Sequence, residues 1–141
     1  MSEKEYTALV HRLFDGLNRR NLDVIDECCT ADYISHDNPP RPDSIGPAQS
    51  KSFMEAFFTA YPDAHFTIEE ILVSGDTTAV RWHYEATHTG ATPAMKIAPT
   101  GKKVYLMACS VYHLKDGKIA EEWMYTDQTA LLEQLGVLPA A

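Results

Sequence analysis

The chain is short of positive charge, short of cysteine and without a long apolar run. Each shortage closes a class of function. Its 12 Lys and Arg face 20 Asp and Glu, which leaves a formal net charge of −8. Affinity for nucleic acid rests largely on phosphate neutralisation, and no basic cluster supplies it here. An anionic membrane surface is disfavoured on the same ground. No apolar stretch approaches the ~20 residues that cross a bilayer. The opening MSEKEYTALV is charged and helical in pattern, so a signal peptide is not expected. The three cysteines, Cys28, Cys29 and Cys109, are an odd number with two adjacent. Reduced thiols in a cytoplasmic protein are therefore expected. No Cys/His spacing matches a zinc site, so no metal is expected. Internal repeats and low-complexity segments are not found.

What is present fits one ordinary globular domain over residues 1–141. Hydrophobic residues make up 45% and charged residues 23%, which is enough for a sizeable core. Glu3 to Asn18 reads as an amphipathic helix with Tyr6, Leu9, Val10, Leu13, Phe14 and Leu17 on one face. Asn21 to Cys28 reads as a second, short helix that breaks at Ala31-Asp32. Tyr33 to His36 is a short extended piece, and Asp37 to Pro47 is a proline-rich loop. Gly46-Pro47 opens a third helix that runs to about Tyr61.

The rest is strand-like. Strands are expected over His65–Val73, Thr78–His88, Lys102–Leu114 and Ile119–Thr126, with a loop over Gly90–Thr100 and a closing helix over Thr129–Leu135. Helices first and an antiparallel meander afterwards argue for α+β, a curved sheet covered by helices around one apolar pocket. The Asp116-Gly117 hairpin sets which residues meet. With a three-residue loop, Ser110 lies opposite Glu122 and Ala108 opposite Met124. A two-residue loop shifts one strand by a residue and flips its partners. On the first register Ala108, Ser110, Tyr112, Glu122, Met124 and Thr126 share one face. Met107, Cys109, Val111, Trp123 and Tyr125 share the other, and a homodimer or higher oligomer through it is expected.

The pieces YISHDN at Tyr33, YPD at Tyr61, SGD at Ser74, VRWHYEATHTG at Val80, APTGKKV at Ala98 and DGKI…W…D…QLG at the end occur in a telling order. Together they resemble the SnoaL-like polyketide cyclases, also called ester cyclases, of the NTF2-like superfold. The resemblance spans nearly the whole chain. It implies an α+β cone, an oligomer, a small apolar or aromatic ligand, and chemistry with neither metal nor organic cofactor. The family's best-known members close a ring by intramolecular aldol condensation, with an aspartic acid on the last strand as general acid/base. Aligned on DGKI and QLG, that acid falls on Met124. The assisting His falls on Ser110, the Gln on Ala108 and the Asn on Ser35. A thioether transfers no proton, so a relocated acid is needed for catalysis.

Four residues are candidates for that role. Glu122, two residues before Met124 on the same face, is either a pocket carboxylate or a solvated strand residue. His36 and Asp37 are either a base and its orienter or a structural loop junction. Asp127 is either an acid or the N-cap of the closing helix. Ser35, Trp82, Tyr84, His88, Ser110, Tyr112 and Met124 are expected around the ligand, with core packing as the alternative for the aromatics. The reading is a cofactor-independent cyclase or isomerase acting on a small apolar carbonyl compound. Its rival is a noncatalytic binding or assembly domain of the same fold.

Overall fold

The computed structural model describes residues 1–91 and 96–139. Residues 92–95, within the loop expected over 90–100, lie outside the described residues. Helix α1 spans Glu3–Asn18 and α2 spans Val24–Cys28. Strand β1 (Cys29–Asp37) and the two-residue β2 (Ser44–Ile45) lead into α3 (Gly46–Ala60). Strands β3 (His65–Ser74), β4 (Thr77–Thr87), β5 (Lys103–Lys115) and β6 (Lys118–Thr126) follow, and α4 (Gln128–Gln134) closes the chain. One six-stranded sheet has the order β2-β1-β6-β5-β4-β3. The helices pack on this curved, unclosed sheet, so the α+β expectation holds.

The local reasons are plain. Ser2 caps α1 through the Glu5 amide, and the Glu5 carboxylate returns a bond to the Ser2 amide. This reciprocal box satisfies amides that a helix start leaves unpaired. Tyr6, Leu9, Val10, Leu13 and Phe14 then recur at helical spacing and are buried. Phe14 meets Phe66 and Trp82 edge to face, with centroids 6.5 and 5.7 Å apart. On β4, Val80, Trp82, Tyr84 and Ala86 point inward. On β5, Val104, Leu106, Ala108, Ser110, Tyr112 and Leu114 do the same. That two-residue alternation is what places one face of each strand in the core.

Two expectations need correction. The short extended piece expected over Tyr33–His36 is a nine-residue strand, β1, which takes in the Ala31-Asp32 break and runs parallel to β6. Its register shifts between Cys29 and Ile34, so Ala31 and Asp32 sit in an irregularity that hides the strand's alternation. The meander of about four strands is thus extended by β1 and β2.

The hairpin register also differs. Lys115 pairs with Lys118 across a two-residue turn, with φ of 52° at Asp116 and 78° at Gly117. Positive φ at both positions is the signature of the primed turn that suits strand twist. A second irregularity between His113 and Leu114 then adds another one-residue shift. Ser110 therefore lies opposite Met124 rather than Glu122, Tyr112 opposite Glu122, and Ala108 opposite Thr126. The two one-residue shifts sum to an even number, so the face assignment survives although the partners change. On the outer face Tyr105, Met107 and Tyr125 are exposed.

Candidate active site

Between the helices and the sheet lies a cavity with two adjoining lobes. The inner lobe is about 100 Å³ and is lined by Tyr33, Ser35, Asp37, Tyr112, Glu122 and Met124 among others. The outer lobe is about 490 Å³, a size that suits an organic ligand, and its walls include Asp37, Phe57, Tyr61, Tyr84, Leu106, Met124 and Gln128. Asp37, Phe53, Met54, Phe66, Trp82 and Met124 border both lobes.

Strand β1 brings the acids together. Tyr33, Ser35 and Asp37 occupy alternate positions on β1 and therefore face the same way. Ser35 is in register with Glu122 on β6, and Asp37 is in register with Met124. The Tyr33 hydroxyl donates to Glu122 Oε1 at 2.5 Å. The Ser35 hydroxyl donates to Asp37 Oδ1 at 2.5 Å and lies 3.4 Å from Glu122 Oε1. One hydroxyl thus stands between two carboxylates. The end of β1 is tied down next door. Asn38 donates its backbone N–H to the Met124 carbonyl, and its side chain exchanges two hydrogen bonds with Thr126.

The electrostatics follow from this crowding. Burial first, and the nearby Asp37 charge second, push the Glu122 carboxyl up from 4.5 to about 7. Hydrogen bonding with Tyr33, Ser110 and Ser35 pulls it partly back. Asp37 is also raised by burial, against the opposing pull of the Ser35 hydroxyl and the cations His36 and Arg41. Tyr33 and Tyr112 are pushed well up by burial and by the Glu122 charge, so both remain protonated donors. Two carboxyl groups in a largely apolar cavity, with shifted proton affinities, are equipped for proton transfer.

The other expected residues are placed as follows. Trp82 lines both lobes and donates its indole N–H to Ser110 Oγ at 3.0 Å. Tyr84 lines the outer lobe, Tyr112 the inner, and Met124 both. Ser110 is fully buried behind Trp82. His88 borders neither lobe; it is buried and its ring packs 5.3 Å from Tyr61. Its Nδ1 accepts from the Thr100 amide, and burial lowers its pKa.

His36 and Asp37 are not brought together as base and orienter. Neighbours on a strand point to opposite faces, and His36 stacks on Trp123 at 5.0 Å on the outer side. It sits between Asp43 at 2.8 Å and Glu121 at 2.6 Å, with its pKa raised by Glu121 first. Asp127 is exposed and caps α4, accepting the Ala130 amide at 3.0 Å. Sequence reasoning passed over Tyr33 and Gln128. Tyr33 was within reach, because it stands two residues before Ser35 and so shares its strand face.

Among the described residues, no group of three or more His, Cys, Asp or Glu is placed to hold a metal ion. No described helix is long and apolar enough to cross a membrane.

Comparison with known proteins places this cavity in context. The family model for SnoaL-like polyketide cyclases matches residues 7–135. The chain belongs to that family. A solved SnoaL-like polyketide cyclase candidate from Jannaschia sp. CCS1 superposes with a TM-score of 0.87 at 24% identity, over 99% of this chain and 98% of that one. AclR from Streptomyces galilaeus, a candidate hydroxylase, gives 0.86 at 28% identity, over 99% and 86%. IdmH from Streptomyces antibioticus, a polyketide cyclase candidate, gives 0.79 at 23%, over 92% and 97%. These likenesses identify the NTF2-like fold. No curated protein matches the chain.

Proposed function

We propose that this SnoaL-like protein is a cofactor-independent enzyme that enolises a polyketide-type carbonyl compound, leading to cyclisation or isomerisation. The observation that carries the reading is the Asp37–Ser35–Glu122 cluster beside Met124. On the family alignment Met124 stands where the acid is expected, and Asp37 is its in-register neighbour on β1. A carboxylate is thereby returned to the same part of the cavity from the adjacent strand.

Asp37 borders the large lobe and is the group that meets substrate. Its carboxylate takes the proton α to the carbonyl, and the electron pair moves onto the carbonyl oxygen. The enolate carbon then attacks a second carbonyl of the same molecule, or is reprotonated at a different carbon. The proton taken at the start returns to the new alkoxide or carbon, so the step consumes no oxidant or reductant. Glu122, held by Tyr33 and near Ser35, is the second carboxyl that tunes and buffers this proton. General acid/base help of this kind is worth about 10²–10⁴-fold.

The test is exchange rather than product discovery. 1-Tetralone, which carries an enolisable CH₂ beside a ketone in a flat, largely apolar frame, is incubated with the protein in D₂O and followed by NMR. Wild type accelerates deuterium incorporation beside the carbonyl. Asp37→Asn and Glu122→Gln each slow it by about 10²-fold or more. A ligand that binds without exchange above background overturns the enzymatic reading and leaves a binding domain. Variants as fast as wild type remove these two carboxylates from the chemistry.

A further inference from the structure

The large lobe is mostly apolar, and two of the polar side chains in its lining end in buried atoms that the proton chemistry does not use. The Tyr61 hydroxyl is buried and has no hydrogen-bond partner among the described residues, although Tyr61 lines the lobe and is only 3% exposed. Gln128 Oε1 is likewise buried and unpartnered, and Gln128 lines the same lobe. The Gln128 amide nitrogen bonds to Thr126 Oγ1 at 2.5 Å. Turning the amide over merely exchanges which of its two polar atoms is left unpaired. Buried polar groups in folded proteins nearly always find a partner, and an orphan costs stability.

We infer that these two orphans are specificity contacts for a flat, largely apolar ligand bearing two polar substituents. A hydroxyl or carbonyl at one end meets Tyr61. A hydroxyl at the other meets Gln128. The strands that they pack on or follow set the scale between them. Tyr61 packs against Tyr84 of β4 at 6.2 Å between centroids, whereas Gln128 directly follows β6. Two strand spacings separate β4 from β6, which is on the order of 10 Å. Aromatic walls from Phe57, Trp82 and Tyr84 suit a planar frame between them. The Tyr61 ring is held by Phe57 at 5.1 Å and His88 at 5.3 Å, so its hydroxyl is presented from a fixed ring.

This inference deepens the proposed function by describing the substrate, and it rests on the same cavity. The probes are 9,10-anthraquinone, 2-hydroxyanthraquinone and 2,6-dihydroxyanthraquinone, which carry hydroxyls at neither, one or both ends. Binding is read from quenching of Trp82 fluorescence, with Trp123, on the outer face, as a constant background. Each hydroxyl should tighten binding by about tenfold, the effect of satisfying a buried polar group. Tyr61→Phe and Gln128→Leu should each erase one step of that ladder, read as the ratio of affinities between successive probes within each variant. Thermal melts establish that each variant is folded, and Gln128→Glu serves as a second variant that restores an acceptor.

Equal affinity for the three probes, no binding of any of them, or variants that keep the full ladder would each overturn the inference. The two readings fail separately. A hydroxyl ladder with no deuterium exchange removes the enzyme and keeps these contacts. Exchange with no ladder does the reverse.

Discussion

Glu122→Gln should stabilise the protein increasingly as pH rises. The carboxyl is pushed from 4.5 to about 7 by burial and by the Asp37 charge. The folded state therefore holds its proton more tightly than the unfolded chain does. Between those values the native state binds more protons, so stability falls with rising pH. Below about 4.5 the group is neutral in both states and contributes nothing to this slope. Above about 7 the whole cost is present. Each tenfold change in proton affinity is worth 1.36 kcal/mol, so the displacement amounts to roughly 3 kcal/mol. Glutamine keeps the shape and never ionises. The assay is urea unfolding of wild type and variant from about pH 4 to about pH 8, read by two probes to establish two-state behaviour. The difference in unfolding free energy should move in favour of the variant by roughly 3 kcal/mol across that window. A difference that is flat with pH, or moves the other way, refutes the claim that this carboxylate is buried at an electrostatic cost.

Two further outcomes follow from local geometry. Asp127→Ala removes the side chain that accepts the Ala130 amide at the start of α4 and should cost about 1 kcal/mol in unfolding free energy, while Asp127→Ser restores most of it. Gly90→Ala should destabilise more strongly, because an added Cβ would lie 2.1 Å from the Thr59 carbonyl oxygen, and backbone cannot yield as a side chain can; a melting temperature unchanged from wild type would show that this close approach is not real.

The site was legible to unequal degrees. Glu122 could be placed on the cavity face because β5 carries a clear two-residue alternation and the Asp116-Gly117 hairpin ties β6 to it. Met124 and Tyr112 followed from the same parity. Asp37 was named, but with the wrong companion. Its place depends on β1 lying parallel to β6, a pairing between segments more than 80 residues apart. No turn sequence announces such a pairing. His36 looked chemical because its neighbour is an acid, yet adjacent strand residues diverge, and its own partners come from Asp43 and from Glu121 across the sheet. Tyr61 stood out only as the start of the YPD motif, and Gln128 carried no signal at all. An unpaired hydroxyl and an unpaired amide become visible only when their surroundings are built.

Periodicity and turn chemistry alone determined that this chain makes an amphipathic α1, a set of long strands and an Asp116-Gly117 hairpin. Those features depend on residues close in sequence, so local pattern suffices. Motif order carried the family. Tertiary structure alone decided which acid stands beside Met124, because that is a matter of register between β1 and β6. It also decided that two one-residue shifts around the Asp116-Gly117 hairpin cancel and leave Glu122 facing inward. A register is set by the whole sheet's packing rather than by the residues being registered, and a single slip would have sent every side chain of β6 to the opposite face.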